Sequence, residues 1–197
     1  MFTRPAGGPL FIAAEKGAQK ESCLSKPDAG EFLALWNRYP GLIKIVDLAP
    51  ELEGAEDFIR RVRSRCVISM AHTAASYEGA LEAFRQGVGQ ATHLFNGMAA
   101  LGHREPGPAG AVLDSEQVWA ELICDGIHIH PAMLRLAFRI LGSRAVVVSD
   151  SMRAAGMPDG EYILGGQKVC VRQGAALLRD APWRDPLRIC TRSCEIC

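Results

Sequence analysis

Two histidines, His72 and His93, each close a short apolar run. Val67-Ile68-Ser69-Met70-Ala71 leads into His72, and Gln90-Ala91-Thr92 leads into His93 and then Leu94-Phe95-Asn96-Gly97. The stretch between them, Ser76 to Gln86, reads as a helix. Strand, helix, strand is a parallel βαβ unit, so both imidazoles are expected at the C-terminal edge of one sheet. That is the edge on which α/β proteins assemble reactive groups. Asp150 closes a third run, Ala145-Val146-Val147-Val148-Ser149. Two imidazoles and a carboxylate around one crevice suit a divalent cation and a water to be activated. Each residue alone has a plainer reading: a histidine hydrogen-bonded in the core, or an aspartate capping a helix. Recurrence at successive strand ends favours the chemical reading.

The elements that must position these groups recur regularly from Ile43. Ile43–Leu48, Val67–Ala71, Gln90–Leu94, Val118–Cys124 and Ala145–Ser149 read as strands. Ala55–Arg65, with Phe58, Ile59 and Val62 at helical spacing, reads as a helix. So do Ser76–Gln86, with Ser76 as N-cap and Gly87 as C-cap, and Pro131–Leu141, with proline in its first turn. This alternation predicts a parallel sheet covered by helices. Asn96 to Gly110 reads as a long irregular loop holding His103-Arg104-Glu105-Pro106-Gly107, and an arginine there could clamp a phosphate or carboxylate. Cys124-Asp125-Gly126-Ile127-His128 places another imidazole after a strand. Gly160 to Val171 reads as a hairpin turning on Gly165-Gly166.

The 197 residues suffice for one sizeable core. Twenty-two basic residues balance 22 acidic ones, so no charge excess points to nucleic acid or an anionic membrane. No apolar run is long enough to span a bilayer, and the N-terminus lacks a secretory core, which makes the cytoplasm the expected location. Of seven cysteines, Cys23, Cys66, Cys124 and Cys170 sit at no ligand spacing and are expected to be buried free thiols.

Several motifs taken together resemble the N-acetylglucosamine-6-phosphate deacetylases of the amidohydrolase superfamily. They are Leu48-Ala49-Pro50-Glu51, Ala71-His72-Thr73, Ala91 to Met98 with His103 to Gly107, Asp125 to His128, and Val148 to Met152 with Ala154 to Met157. The resemblance covers roughly residues 7 to 180. It implies a TIM-type (β/α) barrel, present here in part over 1–158. Residues 159–180 would then lead into a small β domain. It also implies a divalent metal, zinc or iron, on His72 and His93, with Asp150 as general base and acid. Asn96 and Gly97 would bind substrate. Arg104 would hold the 6-phosphate and His128 would contact the sugar phosphate, one or both across a homodimer interface. The implied reaction is hydrolysis of N-acetyl-D-glucosamine 6-phosphate to D-glucosamine 6-phosphate and acetate.

Three departures bear on that expectation. Gly7 stands where the family has a glutamate metal ligand, in Gly7-Gly8-Pro9-Leu10-Phe11. Gln19 stands where the family has a histidine that polarises the substrate carbonyl, in Lys16-Gly17-Ala18-Gln19. By the same resemblance, the given residues are expected to begin after the family's first barrel strands. Little deacetylase activity is therefore expected of the chain as it stands, and an impaired form that keeps only sugar-phosphate contacts is the alternative reading. Near the other end, Ala181 to Leu187 departs from the family's Gly-Thr-Leu-Ala-Gly-Ser-Ala. One added base in a GC-rich back-translation restores it. Residues 181–197, with Cys190, Cys194 and Cys197, are therefore expected to be an out-of-frame tail.

Overall fold

A computed structural model describes residues 9–164, 166–172, 175–178 and 189–190. Gly7 lies outside them, as does the predicted tail except for Ile189 and Cys190. Five parallel strands lie in sequence order: β1 (Ile45–Leu48), β2 (Val67–Met70), β3 (Val88–Ala91), β4 (Trp119–Ile123) and β5 (Ala145–Val148). The helices α2 (Ala55–Val62), α3 (Tyr77–Gln86), α4 (Gly107–Asp114) and α5 (Pro131–Leu141) return the chain between successive strands. Sequential parallel strands with crossover helices and no reversal of order form an arc of a (β/α) barrel. The expected partial barrel is present.

The helices form where their sequences specify caps. The Ser76 hydroxyl accepts from the Gly79 amide at the start of α3, as expected. Phe58, Ile59 and Val62, on one face of α2, are buried in the main core that also holds Leu48, Ile68 and Met70. Two helices were not expected from the residue pattern. In α1 (Ala29–Arg38), the Asp28 carboxylate caps the Glu31 amide. In α4, the Gly107-Pro108-Ala109-Gly110 start carries two glycines and no polar face, and its first six residues are all buried. Helical periodicity cannot show where both faces are apolar. The irregular loop therefore ends at Pro106 rather than Gly110.

β3 also begins earlier than expected. Ile68 pairs with Val88 but Ser69 pairs with Gln90, so Gly89 is an extra residue and the register slips by one. The slip helps to put Gln90 on the concave face beside Ser69 and Trp119, where the pairing of Asp47 with Ser69 also places Asp47. Ile45 and Val67, paired two residues before Asp47 and Ser69, and Trp119, opposite Gln90, are about half exposed.

A second, antiparallel sheet follows: β6 (Gly160–Leu164), β7 (Gln167–Arg172), β8 (Ala175–Leu178) and β9 (Ile189–Cys190). The expected hairpin is β6–β7, with Gly166 at φ 78°. The Gln167 amide donates to the Ala18 carbonyl at 2.6 Å, tying this sheet to the chain preceding β1. The cysteine expectation needs correction: Cys124 is buried, Cys66 and Cys170 are half-buried, and Cys23 is exposed. Burial pushes the Cys66 thiol up to about 11. No described helix is long and apolar enough to cross a membrane.

Candidate metal centre

Parallel strands deliver every β-to-α turn to one edge, and the candidate residues lie there. His72 follows β2, His93 follows β3 and Asp150 follows β5. All three backbones are left-handed, with φ of 49°, 37° and 46°. Side-chain-bearing residues adopt this conformation at a cost of about 1–2 kcal/mol. It persists where the surroundings over-determine it, which is common at reactive sites. The turn lifts each side chain off its strand onto the barrel rim.

The imidazoles meet. His72 Nε2 and His93 Nε2 are 3.1 Å apart, and the rings stand nearly perpendicular at 85°. His72 Nδ1 lies 2.6 Å from the Glu15 carbonyl, which can only accept, so Nδ1 carries the proton and Nε2 presents a lone pair. Phe11 packs against the same ring, 4.1 Å between centroids. Burial, and then the neighbouring His93, push His72 down to about 4, so it is neutral at pH 7. His93 is buried, and its Nδ1 has no hydrogen-bond partner among the described residues. Its hydrogen-bonding capacity is therefore concentrated on Nε2, the atom facing His72.

This donor pair fits two adjacent positions of a divalent cation. An ion at the usual 2.0–2.1 Å from both nitrogens would subtend about 100° between them, close to tetrahedral. The carbonyl that fixes the His72 tautomer is the kind of partner that metal-bound imidazoles use. The described residues include no cluster of three or more His, Cys, Asp or Glu able to hold a metal. Catalytic zinc normally takes three protein ligands. Gln19 is half-buried at a bend, its backbone amide donating to the Lys16 carbonyl at 3.0 Å.

Below the histidines is a polar layer that was not expected from the sequence. Thr92 Oγ1 donates to Asp47 Oδ1 at 2.8 Å, so the Ser69 hydroxyl, 2.7 Å from Thr92 Oγ1, donates in turn. Gln90 Nε2 donates to Glu121 Oε1 at 2.6 Å. Burial raises the Asp47 carboxyl against the pull of Thr92 and His93. Burial, then the charge of Asp47, raises Glu121. Asp150 is exposed on the rim, and its charge acts on His72, Asp47 and Glu121. A signal was available: Asp47, Ser69 and Glu121 are polar residues inside apolar strands, all on one face.

The other predicted residues lie on the same rim with differing roles. Asn96 turns its side chain inward, Nδ2 lying 3.2 Å from both the His93 and Leu94 carbonyls, so it shapes the turn after His93. Gly97, at φ 59°, presses against His72: a Cβ there would lie 2.6 Å from His72 Nδ1. Arg104 is exposed on the loop between β3 and α4. His128 is on the loop between β4 and α5, and its Nδ1 is 2.6 Å from Asp125 Oδ2, both side chains nearly fully buried. Asp125 Oδ1 also accepts from the Ile127 and His128 amides, 2.9 Å each. Burial raises the Asp125 carboxyl, but these bonds outweigh it and hold it below the usual carboxylate range. The structure thus joins His72, His93 and Gly97 in direct contact. It leaves Arg104 and His128 on separate loops of the same edge.

Comparisons with known proteins agree with this architecture. No family model matches the chain. It is 41% identical over 175 residues to an N-acetylglucosamine-6-phosphate deacetylase of Bacillus subtilis, covering 88% of the chain and 44% of that relative. It is 39% identical over 168 residues to an N-acetylgalactosamine-6-phosphate deacetylase of Escherichia coli O157:H7, covering 85% and 45%. Among solved structures, a mutant N-acetyl-D-glucosamine-6-phosphate deacetylase from Mycobacterium smegmatis in complex with N-acetyl-D-glucosamine-6-phosphate superposes at a TM-score of 0.87. It shares 33% identity and covers 94% of this chain and 48% of that one. The chain spans about half the length of the curated relatives it matches.

Proposed function

We propose that this chain, which matches N-acetylglucosamine-6-phosphate deacetylases over most of its own length, carries the metal-and-base half of their chemistry. The reaction is hydrolysis of N-acetyl-D-glucosamine 6-phosphate to D-glucosamine 6-phosphate and acetate. The observation that carries this reading is the His72–His93 pair, two Nε2 atoms 3.1 Å apart on one rim with Asp150. His72 and His93 would hold the divalent cation, with zinc or iron suited to such nitrogen donors. Such an ion, when bound, supplies Lewis acidity that polarises a carbonyl and acidifies water.

The protein's own groups do the rest in this reading. The Asp150 carboxylate takes a proton from the attacking water as its oxygen bonds to the acetamide carbon. The same proton passes to the departing nitrogen as the carbon–nitrogen bond breaks, leaving acetate and the amine. Arg104 and His128 bind the phosphate end, and Asn96 and Gly97 seat the sugar beside the histidines. Fixing the phosphate far from the reacting bond holds the acetamide against the base. The resemblance implies a homodimer in which Arg104, His128 or both reach the neighbouring site.

A second reading has its own support. Two imidazoles without a third ligand among the described residues favour a chain that binds sugar phosphate but turns it over poorly. Acetate release from N-acetylglucosamine 6-phosphate, its C4 epimer and the unphosphorylated sugar separates the two. Turnover that requires the phosphate and is abolished by a chelator and by Asp150→Asn supports the first reading. Binding of the sugar phosphate without acetate release supports the second. The absence of both binding and turnover overturns both readings.

A further inference from the structure

We infer that Glu51 is a positioning residue that locks the loop bearing His72 to the loop following His93. The geometry runs through Thr73. Glu51 lies on the loop after β1, yet its carboxylate reaches across to the residues that follow His72. Thr73 Oγ1 donates to Glu51 Oε2 at 2.5 Å, and the Ala74 amide donates to Glu51 Oε1 at 2.7 Å. The same Thr73 hydroxyl accepts from the Ala75 amide at 3.0 Å. Its backbone then engages a third loop. The Thr73 amide donates to the Gly97 carbonyl at 3.0 Å, and the Ala99 amide donates to the Thr73 carbonyl at 3.1 Å, a parallel bridge opposite Met98.

Thr73 is fully buried, so its hydroxyl and backbone groups need these partners. Three rim loops therefore converge on one residue, and the side chain that anchors it is Glu51. The consequence reaches His72 by two routes. His72 is the left-handed residue immediately before Thr73, and such a backbone holds only where its neighbours are pinned. Gly97, whose carbonyl Thr73 holds, lies so close to the His72 ring that a Cβ there would be 2.6 Å from its Nδ1. An acceptor-only carboxylate suits the place because both of its partners are donors, and charge strengthens both bonds.

The metal readout below rests on the role proposed for His72; the exchange and ring-resonance readouts do not. The test compares Glu51→Ala, Glu51→Gln, Thr73→Val and His72→Ala with the parent chain. It uses amide hydrogen exchange, the His72 imidazole NMR signals, and zinc affinity by chelator competition. For Glu51→Ala, exchange at Ala74 and Ala99 should quicken at least tenfold while Leu122 in β4 is unchanged. The His72 ring signals should shift, and zinc affinity should fall about 10–100-fold, as for other outer-shell partners of metal ligands. Glu51→Gln, which keeps one acceptor, should fall between. If only Ala74 quickens while Ala99 and the His72 signals stay as in the parent, Glu51 is a local cap and the inference is overturned. If the parent binds no zinc, or His72→Ala binds it equally well, the metal reading fails. Ala99 exchange and the His72 signals then decide Glu51 by themselves.

Discussion

Replacing Gly97 by alanine perturbs the candidate centre at one defined point. Gly97 has φ 59°, where a Cβ costs about 1–2 kcal/mol by itself. The new Cβ would lie 2.6 Å from His72 Nδ1, 3.1 Å from its Cε1 and 3.4 Å from the Glu15 carbonyl oxygen. Ordinary contact begins near 3.4 Å, so the ring must retreat by about 0.8 Å, the difference between those two distances. The same Nδ1 makes the 2.6 Å bond to Glu15, and a retreat of that size strains or breaks it. A lost hydrogen bond adds about 1 kcal/mol, giving a total near 2–3 kcal/mol. Gly41 supplies the control. Its φ is 73°, but a Cβ there meets only the flexible end of Lys44 at 3.6 Å, so Gly41→Ala should cost about 1–2 kcal/mol. The assay is urea unfolding of both variants together with zinc affinity. Gly97→Ala should be the less stable and should bind zinc at least tenfold more weakly, while Gly41→Ala binds as the parent does. Equal stability losses with unchanged zinc binding in Gly97→Ala would refute the contact argument.

The same rim sets a pH dependence. His72 in the folded chain resists protonation down to about pH 4, whereas its ordinary value is 6.5. The unfolded chain therefore takes up that proton first, and this group's contribution to stability is lost as pH falls from about 6.5 to about 4. The loss is on the order of 3 kcal/mol. Asp47 and Glu121, with raised carboxyls, act in the opposite sense, so subtracting the pH profile of His72→Ala isolates the histidine; an unchanged profile would contradict its assignment. Thr92→Val leaves Asp47 without its hydroxyl donor and Ser69 without its acceptor, and should lower stability by about 1–3 kcal/mol in chemical denaturation. Asp125→Ala removes three bonds from the loop after β4 and should cost about 2–3 kcal/mol. The same change should weaken sugar-phosphate binding measured by calorimetry.

Much of the barrel is legible in the order of residues alone, for a physical reason. β1, β2 and β5 are mainly apolar runs that each adjoin at least one helix with a polar face, α2, α3 or α5, so periodicity and punctuation agree on them. α4 escapes because its glycine-rich start has no polar face, and the bulge at Gly89 moves β3 because register is decided by the neighbouring strand. At the site, strand-end position suffices to single out His72, His93 and Asp150. Sequence could not show that His72 and His93 touch, since that depends on left-handed backbones at both residues. Nor could it give Gly97 its role, which lies in the absence of a side chain beside an imidazole 25 positions away in the chain. The Asp125–His128 pair is closer to legible, because an aspartate three residues before a histidine can hold both the turn and the ring.

If His72 and His93 together hold one divalent cation, each must be necessary for it. Equilibrium dialysis of the chain against zinc, beside His72→Ala and His93→Ala, decides this without an activity assay. One ion per parent chain is expected at the tightest site, lost in both variants while their folded cores persist by circular dichroism. Binding of equal stoichiometry and affinity in all three proteins would contradict a shared ion on the two imidazoles.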